Sequence, residues 1–283
     1  MSVDAAVTDR PLAVVTGASS GIGRALADDL AERGHDLVLC AEDAELAVAA
    51  EQLARRAGVV PVRTDLATSD GVEQLVAAIS ATGRPVAVLA LNAGVGLGGA
   101  FVGSDLTAQL RVVHLDVVST VHLAHRLLPG MVAQGAGRVL VTSSVAATMP
   151  GPWNATYAAS KAFVQSFAEA VRRELAGTGV TVTALQPGPT DTEFFDRSGM
   201  DETLLGRGPR TDAATVARKG LDALFAGKDH VVVSAMGATQ AGLSRVLPER
   251  ARAAVHGAMA KPRGDDADDA PARGTPDAPQ EGS

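Results

Sequence analysis

The segment Leu12-Ala13-Val14-Val15-Thr16-Gly17-Ala18-Ser19-Ser20-Gly21-Ile22-Gly23 runs from a strand through a glycine turn into a helix. Leu12 to Val15 form a short apolar run of the kind that makes a buried strand. Glycines follow at 17, 21 and 23, and then a helical pattern begins. Ile22, Leu26 and Leu30 recur every fourth residue and share one helix face, with Asp28, Asp29, Glu32 and Arg33 off it. Such a unit can bind phosphate. Glycines let backbone amides approach an anion closely, and the helix start adds unpaired N–H groups and a positive dipole end. Ser19 and Ser20 can add hydroxyl donors. The spacing is G-x-x-x-G-x-G, not the commoner G-x-G-x-x-G. Locally, a glycine-rich turn with no ligand would read the same way, so the rest of the chain has to decide.

Composition narrows the choice. The 283 residues are enough for one α/β domain or two small ones. Hydrophobic residues make up 46% and aromatics only 3%, so the core must be built from Ala, Val and Leu, which suits buried parallel strands flanked by helices. A net charge of −7 and a pI near 5.4 argue against nucleic acid or an anionic membrane as partner. The one cysteine, Cys40, lies in an apolar run and reads as a small core residue, consistent with a reducing cytoplasm. Met1 to Arg10 lack a signal-peptide core, and no apolar run approaches the roughly 18 residues that span a bilayer. The expectation is a soluble cytoplasmic protein.

Further strands are expected at Asp36–Ala41, Val59–Val62, Val86–Leu91, Arg138–Thr142, Val180–Leu185 and His230–Ser234. Helices are expected over Ala44–Ala57, around Val72, Leu75, Val76 and Ile79, and over Leu106–Val132, Asn154–Leu175, Asp212–Phe225 and Gln240–Ala260. Strands alternating with helices mean βαβ units and a parallel sheet, with ligands at the strand C-termini. Glu193 to Gly208, irregular and partly apolar, is a candidate lid. Residues 1–10 read as a flexible N-terminus, 11–260 as the folded domain, and 261–283, rich in Asp, Pro, Gly and Ala, as a disordered tail.

A second informative stretch pairs Ser143-Ser144, at the end of the fifth strand, with Tyr157-Ala-Ala-Ser-Lys161. Tyr157 is the only tyrosine, and it lies four residues from Lys161 on one helix face. A phenol titrates near pH 10, too weak an acid for neutral pH. A neighbouring ammonium favours the phenolate and makes the group a usable proton donor and acceptor. Ser144 could hold a substrate oxygen against the same phenol. The plain alternative is a half-buried tyrosine and a surface lysine on a helix.

Taken jointly, Thr16–Gly23, Asn92-Ala93-Gly94, Ser144, Tyr157-x-x-x-Lys161 and Pro187-Gly188 resemble the short-chain dehydrogenase/reductase family, classical type, over about residues 11 to 235. The resemblance implies a single Rossmann-type, doubly wound α/β domain, a seven-stranded parallel sheet with helices on both faces. It also implies a nicotinamide dinucleotide across the strand ends. By the same match Tyr157 is the general acid-base, Lys161 lowers its pKa and holds the nicotinamide ribose, and Ser144 orients the substrate oxygen. Gly17, Ser19, Ser20, Gly21, Ile22 and Gly23 would hold the pyrophosphate. Asp65 and Leu66 would flank adenine, Asn92, Ala93 and Gly94 would line the adenosine side, and Pro187, Gly188 and Thr192 would meet the nicotinamide half. Family members commonly pair their two long helices, implying a homodimer or homotetramer, and Ala155, Ala158, Ala159, Ala162 and Ala170 would permit close helix approach.

The chain departs from that pattern in three places. Leu91 replaces a second asparagine, at a position expected to support strand packing. Asp116 stands where the family carries a helix asparagine in the proton relay, and it is placed with Ser144, Tyr157 and Lys161 in the candidate catalytic set. As an anion it donates no hydrogen bond and adds charge near Lys161, so the pH dependence is expected to change. A solvated helix carboxylate is the alternative. Finally, Glu42 and Asp43 follow the second strand, where NADP-dependent members often have arginine, and Ser20 replaces the basic residue of the glycine loop. A 2′-phosphate would then meet two carboxylates and no evident base, whereas a ribose 2′-hydroxyl could donate to Glu42. The alternative is that both acids merely start the next helix. NAD(H) is therefore the expected cofactor, with NADP(H) left open. The function expected is hydride exchange between a secondary alcohol and a ketone. Its rival is a nucleotide-sensing or scaffold protein that has lost turnover through Asp116. No metal site is expected, and His122 and His125 read as helix-surface residues. Met149, Trp153, Phe194 and Phe195 suggest an apolar small-molecule substrate.

Overall fold

The computed structural model describes residues 9–200, 203 and 207–234. The expected flexible residues 1–8, Leu204 and Leu205 of the lid, the helix Gln240–Ala260 and the tail 261–283 lie outside the described residues.

The main sheet has seven parallel strands: β1 Leu12–Thr16, β2 Asp36–Ala41, β3 Val59–Arg63, β4 Val86–Leu91, β5 Gly137–Thr142, β6 Val180–Pro187 and, last in the chain, β9 His230–Val233. Their spatial order is β3-β2-β1-β4-β5-β6-β9. The order reverses between β1 and β4, and that crevice is where an open α/β sheet binds its ligand. Alternation along the strands divides the core into two layers. Leu12, Val14, Val38 and Cys40 face one side, with Val72, Leu75 and Ile79 of α3 (Ser69–Ala81). Ala13, Val15, Leu37 and Leu39 face the other, with Leu26 and Leu30 of α1 (Gly21–Glu32). Leu46, Ala50 and Leu53 of α2 (Glu45–Leu53) complete that second layer. Cys40 is fully buried, and burial pushes its thiol up to about 12, so it is packing material. Leu91 is buried in the first layer, as its strand position implies. The edge strand β3 is half-exposed and contains Pro61, which an interior strand would not tolerate.

The expected helix Leu106–Val132 is observed with an interruption. An α-helical start, α4 (Leu106–Val112), passes through a wide π turn, Val113–Val118, into α5 (Ser119–Gln134). Hydroxyls satisfy carbonyls of the wide turn: Ser119 Oγ donates to the Leu115 carbonyl and Thr120 Oγ1 to the Asp116 carbonyl, 2.5 and 2.8 Å. The second long helix, α6 (Ala155–Glu174), follows a short 3₁₀ turn at Val145–Thr148. Ala155, Ala159, Ala162 and Ala170 are exposed on it, but Ala158 is buried against the position of Gly151 and is not available to a partner helix.

The described part of the candidate lid holds more regular structure than its irregular composition implies. A two-residue strand, β7 (Thr190–Asp191), pairs with β8 (Thr211–Asp212), and the short helix α7 (Phe194–Ser198) lies between them. Helix α8 (Ala213–Phe225) then leads to β9. No helix among the described residues is long and apolar enough to cross a membrane.

Candidate active site

The strand C-termini are tied together before they hold anything else. Thr16 Oγ1, at the end of β1, accepts from the amides of Asn92 and Ala93, each at 2.9 Å. Asn92 Nδ2 donates to the Thr16 carbonyl at 3.1 Å, and Thr142 Oγ1 of β5 donates to Asn92 Oδ1 at 3.1 Å. One asparagine thus fixes β1, β4 and β5 at the switch point. A single cleft runs over these ends. It is lined by Gly17, Ser19, Ser20, Gly21, Ile22 and Gly23, by Glu42, Asp65 and Leu66, by Asn92, Ala93 and Gly94, by Pro187, Gly188 and Thr192, and by Ser144, Tyr157 and Lys161.

The glycine turn leaves no room for side chains. A Cβ at Gly23 would lie 1.9 Å from the Gly17 carbonyl oxygen. Gly94 lies against the other end of the cleft, where a Cβ would come within 2.9 Å of both Asp116 Oδ1 and Lys161 Nζ. Ser20 stands at the N-cap of α1 without hydrogen-bonding its amides, so side chains leave that helix start uncapped. Asp43 Oδ2 accepts from Ser19 Oγ at 2.8 Å, while its buried Oδ1 has no hydrogen-bond partner among the described residues. An uncapped helix start and an unpartnered acceptor on one cleft fit the pyrophosphate and hydroxyls of a dinucleotide.

At the other end the side chains are buried. Tyr157 is 8% exposed, Lys161 5%, Ser144 6% and Asp116 1%. Asp116 is not a solvated helix carboxylate. The wide turn projects it inward, where Oδ1 accepts from the Val95 amide at 2.8 Å and Oδ2 from Ser160 Oγ at 2.9 Å. Lys161 Nζ lies 3.3 Å from Asp116 Oδ2, 3.4 Å from the Thr142 carbonyl and 5.7 Å from the centre of the Tyr157 ring. The Ser144 hydroxyl lies near enough to the phenol to favour its ionised form. These neighbours do not lower the phenol pKa on balance. Burial pushes it above its ordinary value, Lys161 and the Ser144 hydroxyl pull it down, and Asp116 pushes it up again. For Lys161, burial works against the charged form, but Asp116 and Tyr157 outweigh it and the ammonium is held protonated.

Met149, Phe194 and Phe195 line the cleft beyond Tyr157, but Trp153 does not. Its backbone sits at φ 69°, and its carbonyl accepts from the Gly99 amide at 2.7 Å. Phe194 packs on the Tyr157 ring, centroids 5.2 Å apart, over Gly96, where a Cβ would lie 2.4 Å from Phe194 Cζ.

Two participants escape a reading of the sequence. Ser160 lies between Tyr157 and Lys161 with no signal of its own. Arg111 of α4 meets two residues of the cleft wall, at the end expected to take adenosine, where no base was expected. It forks onto Asp65 at 2.9 and 3.3 Å and also pairs with Glu42, 69 residues earlier. Glu42 and Asp43 precede α2, which begins at Glu45.

Parallel strands around a switch point, with a phenol and a buried ammonium in the same cleft, define a class: nicotinamide-dinucleotide-dependent oxidoreductases acting on CH–OH and keto groups. Within that class the chain belongs to the short-chain dehydrogenase family, whose model matches residues 11–203. It is 35% identical over 195 residues to sulfoacetaldehyde reductase 2 of Chromohalobacter salexigens, covering 68% of this chain and 77% of the relative. A second sulfoacetaldehyde reductase of that organism is 36% identical over 215 residues, 75% of this chain and 85% of the relative. Among solved structures, a short-chain dehydrogenase/reductase from Burkholderia phymatum in complex with NAD superposes with a TM-score of 0.75 at 30% identity, covering 84% of this chain and 92% of that one. A short-chain dehydrogenase from Sphingobium yanoikuyae in complex with NADPH gives 0.72 at 27% identity, covering 84% and 97%.

Proposed function

We propose that the protein interconverts a secondary alcohol and a ketone, with NAD(H) preferred and Tyr157 as general acid-base. The observation that carries this reading is the buried phenol with the Ser144 hydroxyl close by and the Lys161 ammonium 5.7 Å from its ring centre. When bound, the dinucleotide supplies or accepts the hydride at its nicotinamide ring. In reduction, Ser144 orients the substrate carbonyl oxygen and Tyr157 Oη donates its proton to that oxygen. Lys161 stabilises the resulting phenolate, and in oxidation the phenolate takes the alcohol proton back. Asp116 touches none of the reacting atoms. It is a positioning residue that ties the Lys161 ammonium to the Val95 loop and to Ser160. Gly17 to Gly23 hold the pyrophosphate, Glu42 the adenosine ribose, Asp65 and Leu66 the adenine, and Pro187, Gly188 and Thr192 the nicotinamide half.

The NAD preference is supported by Glu42 together with the unpartnered oxygen of Asp43, since acceptors suit ribose hydroxyls and repel a phosphate. The walls near Tyr157, formed by Val95, Ala146, Met149, Phe194, Phe195 and Met200, support an uncharged apolar substrate. Among the described residues Lys161 is the only basic side chain of the lining, and it is already paired with Asp116. A sulfonate like that of the relatives' sulfoacetaldehyde would meet no free cation among the described residues of the lining. Exposed Leu110, Val118 and Phe163 on the long helices support self-association, which sedimentation velocity would check.

The test is NADH oxidation against a panel of ketones by wild type and Tyr157→Phe. Turnover in the wild type with loss in the variant is expected. Equal activity in both, or binding of NADH without turnover in either, would overturn the reading.

A further inference from the structure

The adenosine end carries a cation whose job the reading above leaves open. Arg111 projects from the last turn of α4 and spends two N–H groups on both oxygens of Asp65, at 2.9 and 3.3 Å. The same terminal nitrogen that meets Asp65 Oδ1 also meets Glu42 Oε2, so one guanidinium spans from the second strand's end to the third's. Arg63 closes the other side by donating to the Glu42 carbonyl at 3.0 Å. The three side chains are 36–50% exposed, so the pairing with Glu42 is a solvated contact that is cheap to rearrange.

We propose that Arg111 is a cofactor-discriminating residue, a guanidinium placed beside the adenosine ribose whose phosphate-binding face Glu42 occupies. This rests on the cofactor reading above. The acidic residue about 20 positions beyond the glycines is the one that meets the ribose 2′-oxygen, and an arginine nearby is what accommodates a 2′-phosphate. Both groups are present here, joined to each other. A 2′-hydroxyl can donate to Glu42 with the Glu42–Arg111 pair intact. A 2′-phosphate needs the same guanidinium edge and meets the Glu42 carboxylate instead. The exclusion of NADP(H) then comes from one carboxylate standing in front of an arginine, not from a missing base. Asp65 is what keeps Arg111 in place when Glu42 is removed, since it holds the guanidinium through both oxygens.

The test is equilibrium titration of NADH and NADPH, read by nicotinamide fluorescence, in the Tyr157→Phe background so that binding is measured without turnover. In Glu42→Gln, NADPH binding is expected to tighten about tenfold or more, the size of one added charge-assisted hydrogen bond. In Glu42→Gln/Arg111→Gln that gain is expected to vanish, and in Glu42→Gln/Arg111→Lys to return in part, because lysine keeps the charge but loses the fork. Equal NADPH affinity in the single and double variants would overturn the proposal, as would no tightening in Glu42→Gln. Failure to bind either dinucleotide would sink the cofactor reading and this inference with it. Normal binding with the predicted Arg111 dependence, but no hydride transfer by the wild type that keeps Tyr157, would sink only the enzymatic reading.

Discussion

The two ends of the cleft use the same materials in opposite ways. At the proposed catalytic end a lysine and an aspartate, 5% and 1% exposed, are satisfied by Ser160, the Val95 amide and the Thr142 carbonyl. At the proposed adenosine end Glu42, Asp65 and Arg111 form their pairs in contact with water. Breaking a buried pair strands a charge in a poorly solvating site, whereas an exposed pair falls back on water and is screened by salt. The catalytic end is thus fixed in place, and the adenosine end is open to retuning.

The sharpest test of that contrast is Tyr157→Phe, which removes the proton donor and little volume. Ketone reduction should fall by about 10²–10⁴-fold, measured as kcat, with NADH affinity retained. A loss of only a few fold would place the chemistry elsewhere. Next in size, Asp116→Leu should strand the Lys161 charge and lower the unfolding free energy by about 3–5 kcal/mol in urea denaturation.

Asp116→Asn is milder and bears on pH. Burial raises the phenol, Lys161 and Ser144 lower it, and Asp116 raises it, so removing that negative charge lowers the phenol pKa. In the proposed reaction the phenolate is the base for alcohol oxidation, so the rate is expected to rise as pH passes the phenol pKa. The rising limb of kcat/KM in the oxidation direction should therefore move to lower pH in the asparagine variant. An unmoved limb would show that Asp116 does not reach the phenol electrostatically. The smallest effect is expected at the exposed end. For Asp65, partial burial works to raise the pKa, but Arg111 and the Ala67 amide hold the carboxylate below its ordinary value. Asp65→Asn should nonetheless change unfolding stability by no more than about 1 kcal/mol. A larger loss would make the two ends alike.

Much of this was legible in the residues because it is local. Short apolar runs bounded by glycine, proline or polar turns place the seven strands, and i, i+4 spacing puts Tyr157 and Lys161 on one helix face. What stayed hidden depends on pairing across the chain. Arg111 reads as an ordinary helix arginine until α4 is laid beside the ends of β2 and β3. Asp116 is placed near Lys161 only by the family resemblance, because a regular helix and one with a wide turn share the same apolar pattern up to that point. The lid's short strand and helix escape notice because β7 and β8 are two residues each, too brief for any periodicity.

The wide turn at Val113–Val118 has one more consequence. It houses an extra residue within the path of an otherwise continuous helix, as single π turns do. The segments on either side answer to different neighbours: α4 sends Arg111 to the adenosine end, and α5 buries Leu123 in the core. Between them the surplus position carries Asp116 to Lys161 without demanding that either flank rotate. Substitution there tunes the site, whereas shortening the segment by one residue would straighten the helix, keep its packing faces and withdraw the carboxylate altogether. The molecule has, in effect, separated the length of this helix from its phase.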